Sequence, residues 1–149
     1  PPVQILATHP MFGPDSARDG IVGRPLIICP VRIAANQLKE WKEKFSSMKL
    51  KVVTMTTVEH DQEAALTQGI THYLGRVLSE MNLGESMIST VGYQKLREIM
   101  EQTCNDSLQL FLDLQRYNPF TGKMQERLDS ALRSVRAQLN SSDRNHSAL

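Results

Sequence analysis

Apolar and polar positions follow two different rhythms along this chain, and the change falls near residue 57. Val3-Gln4-Ile5-Leu6-Ala7 is an apolar run of strand length, and Pro25-Leu26-Ile27-Ile28-Cys29 is a second, too short and too β-rich for a helix. Ala34, Leu38, Trp41, Phe45 and Met48 then recur at helical spacing with lysines and glutamates between them, which predicts an amphipathic helix with one face on a sheet. Residues 51–56 (KVVTMT) alternate as a third strand. Strand, strand, helix, strand is the pattern of the tail end of a larger α/β sheet, because three strands alone leave long edges and a thin core.

Beyond Val58 the strand signals stop. Leu66, Ile70, Tyr73, Leu74, Val77, Leu78 and Met81 predict one long helix, ended by Asn82-Leu83-Gly84. A second helix is expected over 93–117, with Leu96, Ile99, Met100, Leu108, Phe111 and Leu112 inward. Leu110 and Leu114 widen its apolar surface, and Asn118-Pro119 breaks it. Met124, Leu128, Ala131, Leu132, Val135 and Leu139 predict a third helix. The expected organisation is a sheet remnant over 1–57, an all-α domain over 58–140 and a flexible polar tail over 141–149. The apolar faces of the helical part are too extensive for a comfortable monomer, and a helical homodimer is the expected remedy.

Composition narrows the function classes. A formal net charge of +1 over 149 residues argues against a dedicated nucleic-acid binder, which needs clustered lysines and arginines. No apolar run approaches the roughly 20 residues of a membrane helix. The start, Pro1-Pro2-Val3, is neither a signal nor a transit peptide and reads as cut into the middle of something. Cys29 and Cys104 lie far apart without metal or redox spacing, so both are expected as plain buried thiols.

Candidate chemistry rests on histidines. His9 ends the first strand in Thr8-His9-Pro10-Met11-Phe12-Gly13-Pro14-Asp15-Ser16, where an imidazole at a sheet edge can meet a ligand instead of vanishing into a core. His60 stands in Glu59-His60-Asp61 at the start of the first long helix, where Asp61 can cap or complement the helix N-terminus. Within that helix Gln68, His72, Arg76 and Ser79 form a polar stripe, flanked by Gly69 and Gly75. Glycine there is explicable if another backbone or a ligand approaches closely. A solvated helix face, with glycines for helix packing, explains the stripe equally well. Metal binding is not expected: His60 and His72 are twelve residues apart, not the three to five of paired ligands on a helix. No Gly-x-Gly-x-x-Gly or Gly-Lys-Ser/Thr phosphate loop occurs.

Three of these segments together carry a resemblance. THPMFGPDS from Thr8 to Ser16, EHD from Glu59 to Asp61, and QGITHYLGRVL from Gln68 to Leu78 occur in this order and spacing in the prephenate and arogenate dehydrogenases. Gly92-Tyr93 and Asp106-Ser107 add weaker matches, and the likeness is closest to the plant-type branch. The resemblance implies an α/β remnant, the last strands of a Rossmann-like sheet, followed by the helical dimerisation domain. It implies an oxidative decarboxylation of a cyclohexadienol, prephenate or arogenate, with hydride transfer to NAD or NADP in tyrosine biosynthesis. His9 matches the family's catalytic histidine. His60 and His72 match histidines that shape the substrate pocket, the latter near a substrate carboxylate, and Asp15 falls where bacterial members often carry an acidic residue.

Departures from the pattern matter as well. Glu98 stands where an ungapped match expects the arginine for the ring carboxylate, leaving Arg97 and Arg76 as candidates, with Gln68 also placed in the substrate pocket. The Gly-rich cofactor loop is expected upstream of this chain, so the fragment alone is expected to be inactive. The implied setting is cytoplasmic, or the plastid for a plant-type protein. A reading from another class is a non-catalytic dimerisation or ligand-sensing module derived from the same fold.

Overall fold

The computed structural model describes residues 2–146, and their side chains except those of Asp15 and 142–146. The described chain forms two compact units, Pro1–His60 and Asp61–Leu149, each with its own packing logic.

The first unit is a three-stranded sheet with one covering helix. Strand β1 (Ile5–Pro10) is followed by a single helical turn, α1 (Pro14–Ala17), then β2 (Pro25–Arg32), helix α2 (Ala35–Ser47) and β3 (Lys51–Thr54). The strands lie in the order β1-β2-β3. β1 runs antiparallel to β2, with His9 opposite Ile27 and Pro10 opposite Leu26, and the register shifts between Ile5 and Leu6. β2 and β3 are parallel, from Pro25 opposite Lys51 to Ile28 opposite Thr54, as the α2 crossover requires. Leu26, Ile27, Ile28 and Cys29 are all buried, the near-continuous apolar run of a strand covered on both faces. On α2, Trp41 stacks on Phe45 at 5.5 Å between centroids, and the Lys44 ammonium sits 4.9 Å above the Trp41 ring. β1 begins later and runs further than the apolar run 3–7 suggests, so that His9 is in the ladder itself.

Helix α3 (Thr57–Ala64) starts on a reciprocal cap. Glu59 N–H donates to Thr56 Oγ1 at 3.2 Å, while the Thr56 N–H and hydroxyl both donate to Glu59 Oε2 at 2.8 Å. These donors hold the Glu59 carboxyl below its usual range, the Thr56 backbone N–H first. The cap therefore belongs to Thr56 and Glu59, not to Asp61, whose carbonyl instead accepts from Asn118 Nδ2 at 2.8 Å. The division between the two units falls at His60, inside this helix.

Among the described residues the second unit is built of helices and their connections, with no strand. The long helix expected to 81 is realised as α3, a π-helical turn (Ala65–Gly69) and α4 (Ile70–Glu80). Wider π turns interrupt the regular carbonyl ladder, and here the Gly69 carbonyl accepts from Gln115 Nε2 at 2.9 Å. Asn82, in the left-handed region at φ 54°, closes the helix. The helix expected over 93–117 is two: α5 (Val91–Cys104) and α6 (Leu108–Tyr117). Asn105-Asp106-Ser107 breaks it because the Ser107 hydroxyl accepts from Leu110 N–H at 3.1 Å and caps a new helix. Asn118 is extended, as the residue before a proline should be, and α7 (Thr121–His146) follows. No glycine or proline follows Leu139, so α7 continues well past the expected end. The tail assigned to 141–149 is thus helical as far as His146, and 147–149 lie outside the described residues.

The glycines explain the packing. A methyl on Gly75 would run into the Thr103 hydroxyl of α5, and one on Gly69 would lie 3.3 Å from Thr121 Cγ2 on α7. Close approach of neighbouring helices is the reason for both. Thr103 is buried and donates to the carbonyls of Ile99 and Met100. Thr121 is buried and donates to those of Gln115 and Asn118. The outward side of α7 leaves Leu132, Val135 and Leu139 exposed, the last two-thirds so at 66%. Leu96 and Leu108, expected inward, are also exposed, as is Leu110. Cys29 is buried, whereas Cys104 is only partly so, its thiol 3.7 Å from the Gly75 carbonyl.

Candidate functional site

In the first unit the end of β1 and the start of α3 bring two imidazoles together. His9 Nδ1 lies 2.8 Å from His60 Nε2, with ring centroids 5.1 Å apart and the planes at 61°. One proton bridges such a pair: one nitrogen donates it and the other supplies the lone pair. Two imidazolium rings would set N–H against N–H. Burial first, and the nearby His60 second, lower the proton affinity of His9 below the ordinary imidazole range. His9 is therefore neutral at pH 7 and has one ring nitrogen beyond the bridge with which to meet a ligand.

The second unit assembles a different cluster. His72 on α4 is buried, with 9% of its surface exposed, and its Nε2 lies 3.8 Å from Asp106 Oδ2 in the α5–α6 break. One turn on, Arg76 Nη2 donates to the Asp106 carbonyl at 3.0 Å, and its guanidinium lies 5.5 Å from the centre of the Phe111 ring. Burial lowers the proton affinity of His72 most; the Asp106 carboxylate raises it and the Arg76 cation lowers it. His72 Nδ1 and Arg76 Nε are buried without a hydrogen-bond partner among the described residues. The unspent Nε–H of the Arg76 guanidinium suits an anion such as a carboxylate, whereas Nδ1 of a neutral His72 whose Nε2–H faces Asp106 offers a lone pair.

Other expected site residues stand apart from these clusters. Gln68 is half-buried on the π-helical turn. Arg97 on α5 is held by acids, with Nη2 2.9 Å from Glu101 Oε1 and Nη1 3.9 Å from Glu85. Asp15 lies in α1, and its side chain is outside the described ones. Asp106, the carboxylate facing His72, entered the sequence reading only as a weak motif match beside Ser107, with no site role. The run Asn105-Asp106-Ser107 was the available signal, since three residues that favour caps and turns mark a helix break. No group of three or more His, Cys, Asp or Glu suited to a metal gathers among the described residues.

The described strands offer no dinucleotide cradle. The one β–α turn of a parallel pair, from Arg32 to Ala35, contains no glycine, and its N-cap is Ala34 with no side-chain cap. A pyrophosphate needs glycines there for backbone approach at the helix N-terminus. The residues present do not fit that group. No helix among the described residues is long and apolar enough to cross a membrane.

Comparison with known proteins agrees with the motifs. Residues 77–148 match the family described as the TYRAAT1-like C-terminal domain. Over 140 residues the chain is 41% identical to arogenate dehydrogenase 2, chloroplastic, of Arabidopsis thaliana, covering 91% of this chain and 39% of that protein. It is 36% identical to arogenate dehydrogenase 1, chloroplastic, of the same plant, covering 22% of that protein. The chain thus spans well under half the length of these relatives. The fold matches that of Synechocystis arogenate dehydrogenase, with a TM-score of 0.65 and 16% identity over 91% of this chain and 55% of that one. The homologues are arogenate dehydrogenases, and the three-stranded sheet followed by helices is the C-terminal part of their fold.

Proposed function

We propose that this homologue of the arogenate dehydrogenases supplies the proton-accepting histidine and part of the substrate pocket for oxidative decarboxylation of a cyclohexadienol in tyrosine biosynthesis. The observation that carries this reading is the His9–His60 pair, two motif histidines at 2.8 Å with His9 kept neutral. When the ring C4 loses hydride, its hydroxyl passes a proton to a base, the ring carboxylate departs as CO2 while its bonding electrons complete the aromatic ring, and the phenolate oxygen takes that proton back to give the phenol. His9 accepts the hydroxyl proton; a neutral imidazole near its working pH is suited to that step. Aromatisation supplies the driving force, so the remaining task of the protein is orientation.

Arg76, with His72 one turn away, is assigned to a substrate carboxylate on the strength of its unpaired buried Nε–H. Arg97 also has a buried, unpaired Nε, but it is the weaker candidate because Glu101 and Glu85 already engage its two terminal nitrogens. Gln68 and Asp15 remain assigned to substrate binding. A nicotinamide cofactor, NAD or NADP, would supply the hydride acceptor; the described residues do not form its cradle. The plant relatives favour arogenate over prephenate and the plastid over the cytoplasm. The exposed Leu132, Val135 and Leu139 of α7 favour a homodimer.

The test is reduction of NAD and NADP by the full-length protein offered arogenate and prephenate in parallel. Reduction that disappears in His9→Ala supports the reading. A folded, cofactor-binding protein that reduces neither nucleotide with either substrate overturns it and favours a ligand-sensing module.

A further inference from the structure

We infer that His60 is a positioning residue: by accepting a hydrogen bond from His9 Nδ1–H, it holds His9 in the tautomer whose Nε2 lone pair is unshared. The inference rests on the proposed role of His9 as proton acceptor. The geometry allows only two arrangements at 2.8 Å. In one, His60 Nε2–H donates to His9 Nδ1, which puts the His9 proton on Nε2 and leaves no lone pair for an incoming proton. In the other, His9 Nδ1–H donates to His60 Nε2, and Nε2 of His9 is the open acceptor. Only the second lets His9 take up a proton without moving a heavy atom. The imidazolium so formed keeps the same bond, Nδ1–H to the lone pair of His60, while its new proton sits on Nε2. Nothing else changes hands: the hydroxyl O–H bond breaks, the His9 Nε2–H bond forms, and His60 neither gains nor loses a proton.

The capping box of α3 gives this arrangement its rigidity. Thr56 and Glu59 fix the first helical turn, and the backbone N–H of His60 donates to the Thr56 carbonyl at 3.0 Å. The helix start thus presents His60 from a braced turn. An orienting partner that fixes the tautomer of a catalytic imidazole acts through that imidazole.

Nitrogen-15 NMR of the full-length protein, labelled at histidine and recorded at neutral pH, reads the tautomer directly. A protonated Nδ1 and a bare Nε2 on His9 are expected, and a protonated Nε2 with bare Nδ1 overturns the inference. Kinetics supply the second readout. His60→Ala should lower kcat by about tenfold or more with KM little changed, as loss of an orienting hydrogen bond does. His60→Gln, whose amide oxygen can accept from Nδ1–H, should restore most of it. His60→Lys, which can only donate, should not. Unchanged kcat in folded His60→Ala, while His9→Ala is inactive, sinks the inference alone. Unchanged kcat in His9→Ala sinks the functional reading instead.

Discussion

The two units solve the same problem, a small interior, with opposite materials. In the sheet unit the core is one strand, and Ile28 is completely buried between Ile27 and Cys29. Its stabilisation comes from apolar surface removed from water. In the helical unit the most buried positions include Ala65, Gly69, Gly75, Thr103 and Thr121, with Met124 the one large apolar side chain. Its stabilisation comes from close backbone approach and from hydroxyls that satisfy neighbouring carbonyls. The difference teaches what each histidine can do. His9 sits at the end of an apolar sheet beside one partner, while His72 lies in a polar interior beside a carboxylate and a guanidinium.

The largest expected effect separates the two histidines. In the full-length protein His9→Ala should lower kcat by about 100- to 10,000-fold, the usual worth of a positioned acid–base group, with little change in KM. His72→Ala should instead raise KM for the cyclohexadienol. Steady-state kinetics on both variants check this, and equal losses of kcat would erase the distinction.

Next comes the apolar core. Ile28→Ala should cost about 2–5 kcal/mol of stability, because it leaves a cavity in the central strand. Trp41, the one tryptophan in the chain, lies in this unit and makes the loss visible by fluorescence-detected urea unfolding. A somewhat smaller loss is expected at the helix contact. Gly75→Ala should cost about 1–3 kcal/mol through overpacking against Thr103, after any gain in helix propensity. Thermal melts followed by helical ellipticity measure it, and Gly75→Ala combined with Thr103→Ala should recover part of the loss. If Gly75→Ala proved neutral, the tight α4–α5 contact would not be what holds this unit.

The smallest effect is the pH dependence. Both His9 and His72 bind protons less readily when folded than the ordinary imidazole at 6.5. The stability gained by holding them neutral is therefore complete above pH 6.5 and falls away as pH drops through their lower folded values. Melting temperatures should be flat from neutral to mildly alkaline pH in this respect and decline below about pH 6.5. His72→Gln should flatten part of that decline; an unchanged slope would show that His72 does not titrate in this way.

Much of this arrangement was legible in one dimension. The Leu26-Ile27-Ile28-Cys29 run is a buried strand under any packing, because so short and apolar a segment has no exposed face to offer. The α2 helix and the Asn118-Pro119 break are equally local, although α2 buries no residue and leaves Trp41, on its apolar face, and Met48, at its C-cap, exposed. The split of the 93–117 helix was not legible from apolar spacing, which runs on through the break. It depends on whether Ser107 turns its hydroxyl to the backbone, a choice between two local hydrogen bonds of similar worth. The cap of α3 by Thr56 and Glu59 escaped in the same way, since Asp61 was an equally plausible partner from composition.

By itself, then, the sequence determined the two-part pattern, the strand-end histidine and the motifs that tie the chain to its homologues. These depend on neighbours within a few residues and on order along the chain. Only the tertiary structure decided that His9 meets His60 across 51 residues, that Asp106 faces His72, and that Gly75 is open for Thr103. Such pairings turn on distances of a few ångströms between segments whose separation no local pattern encodes, and hydrogen bonds and shifted proton affinities exist only at those distances.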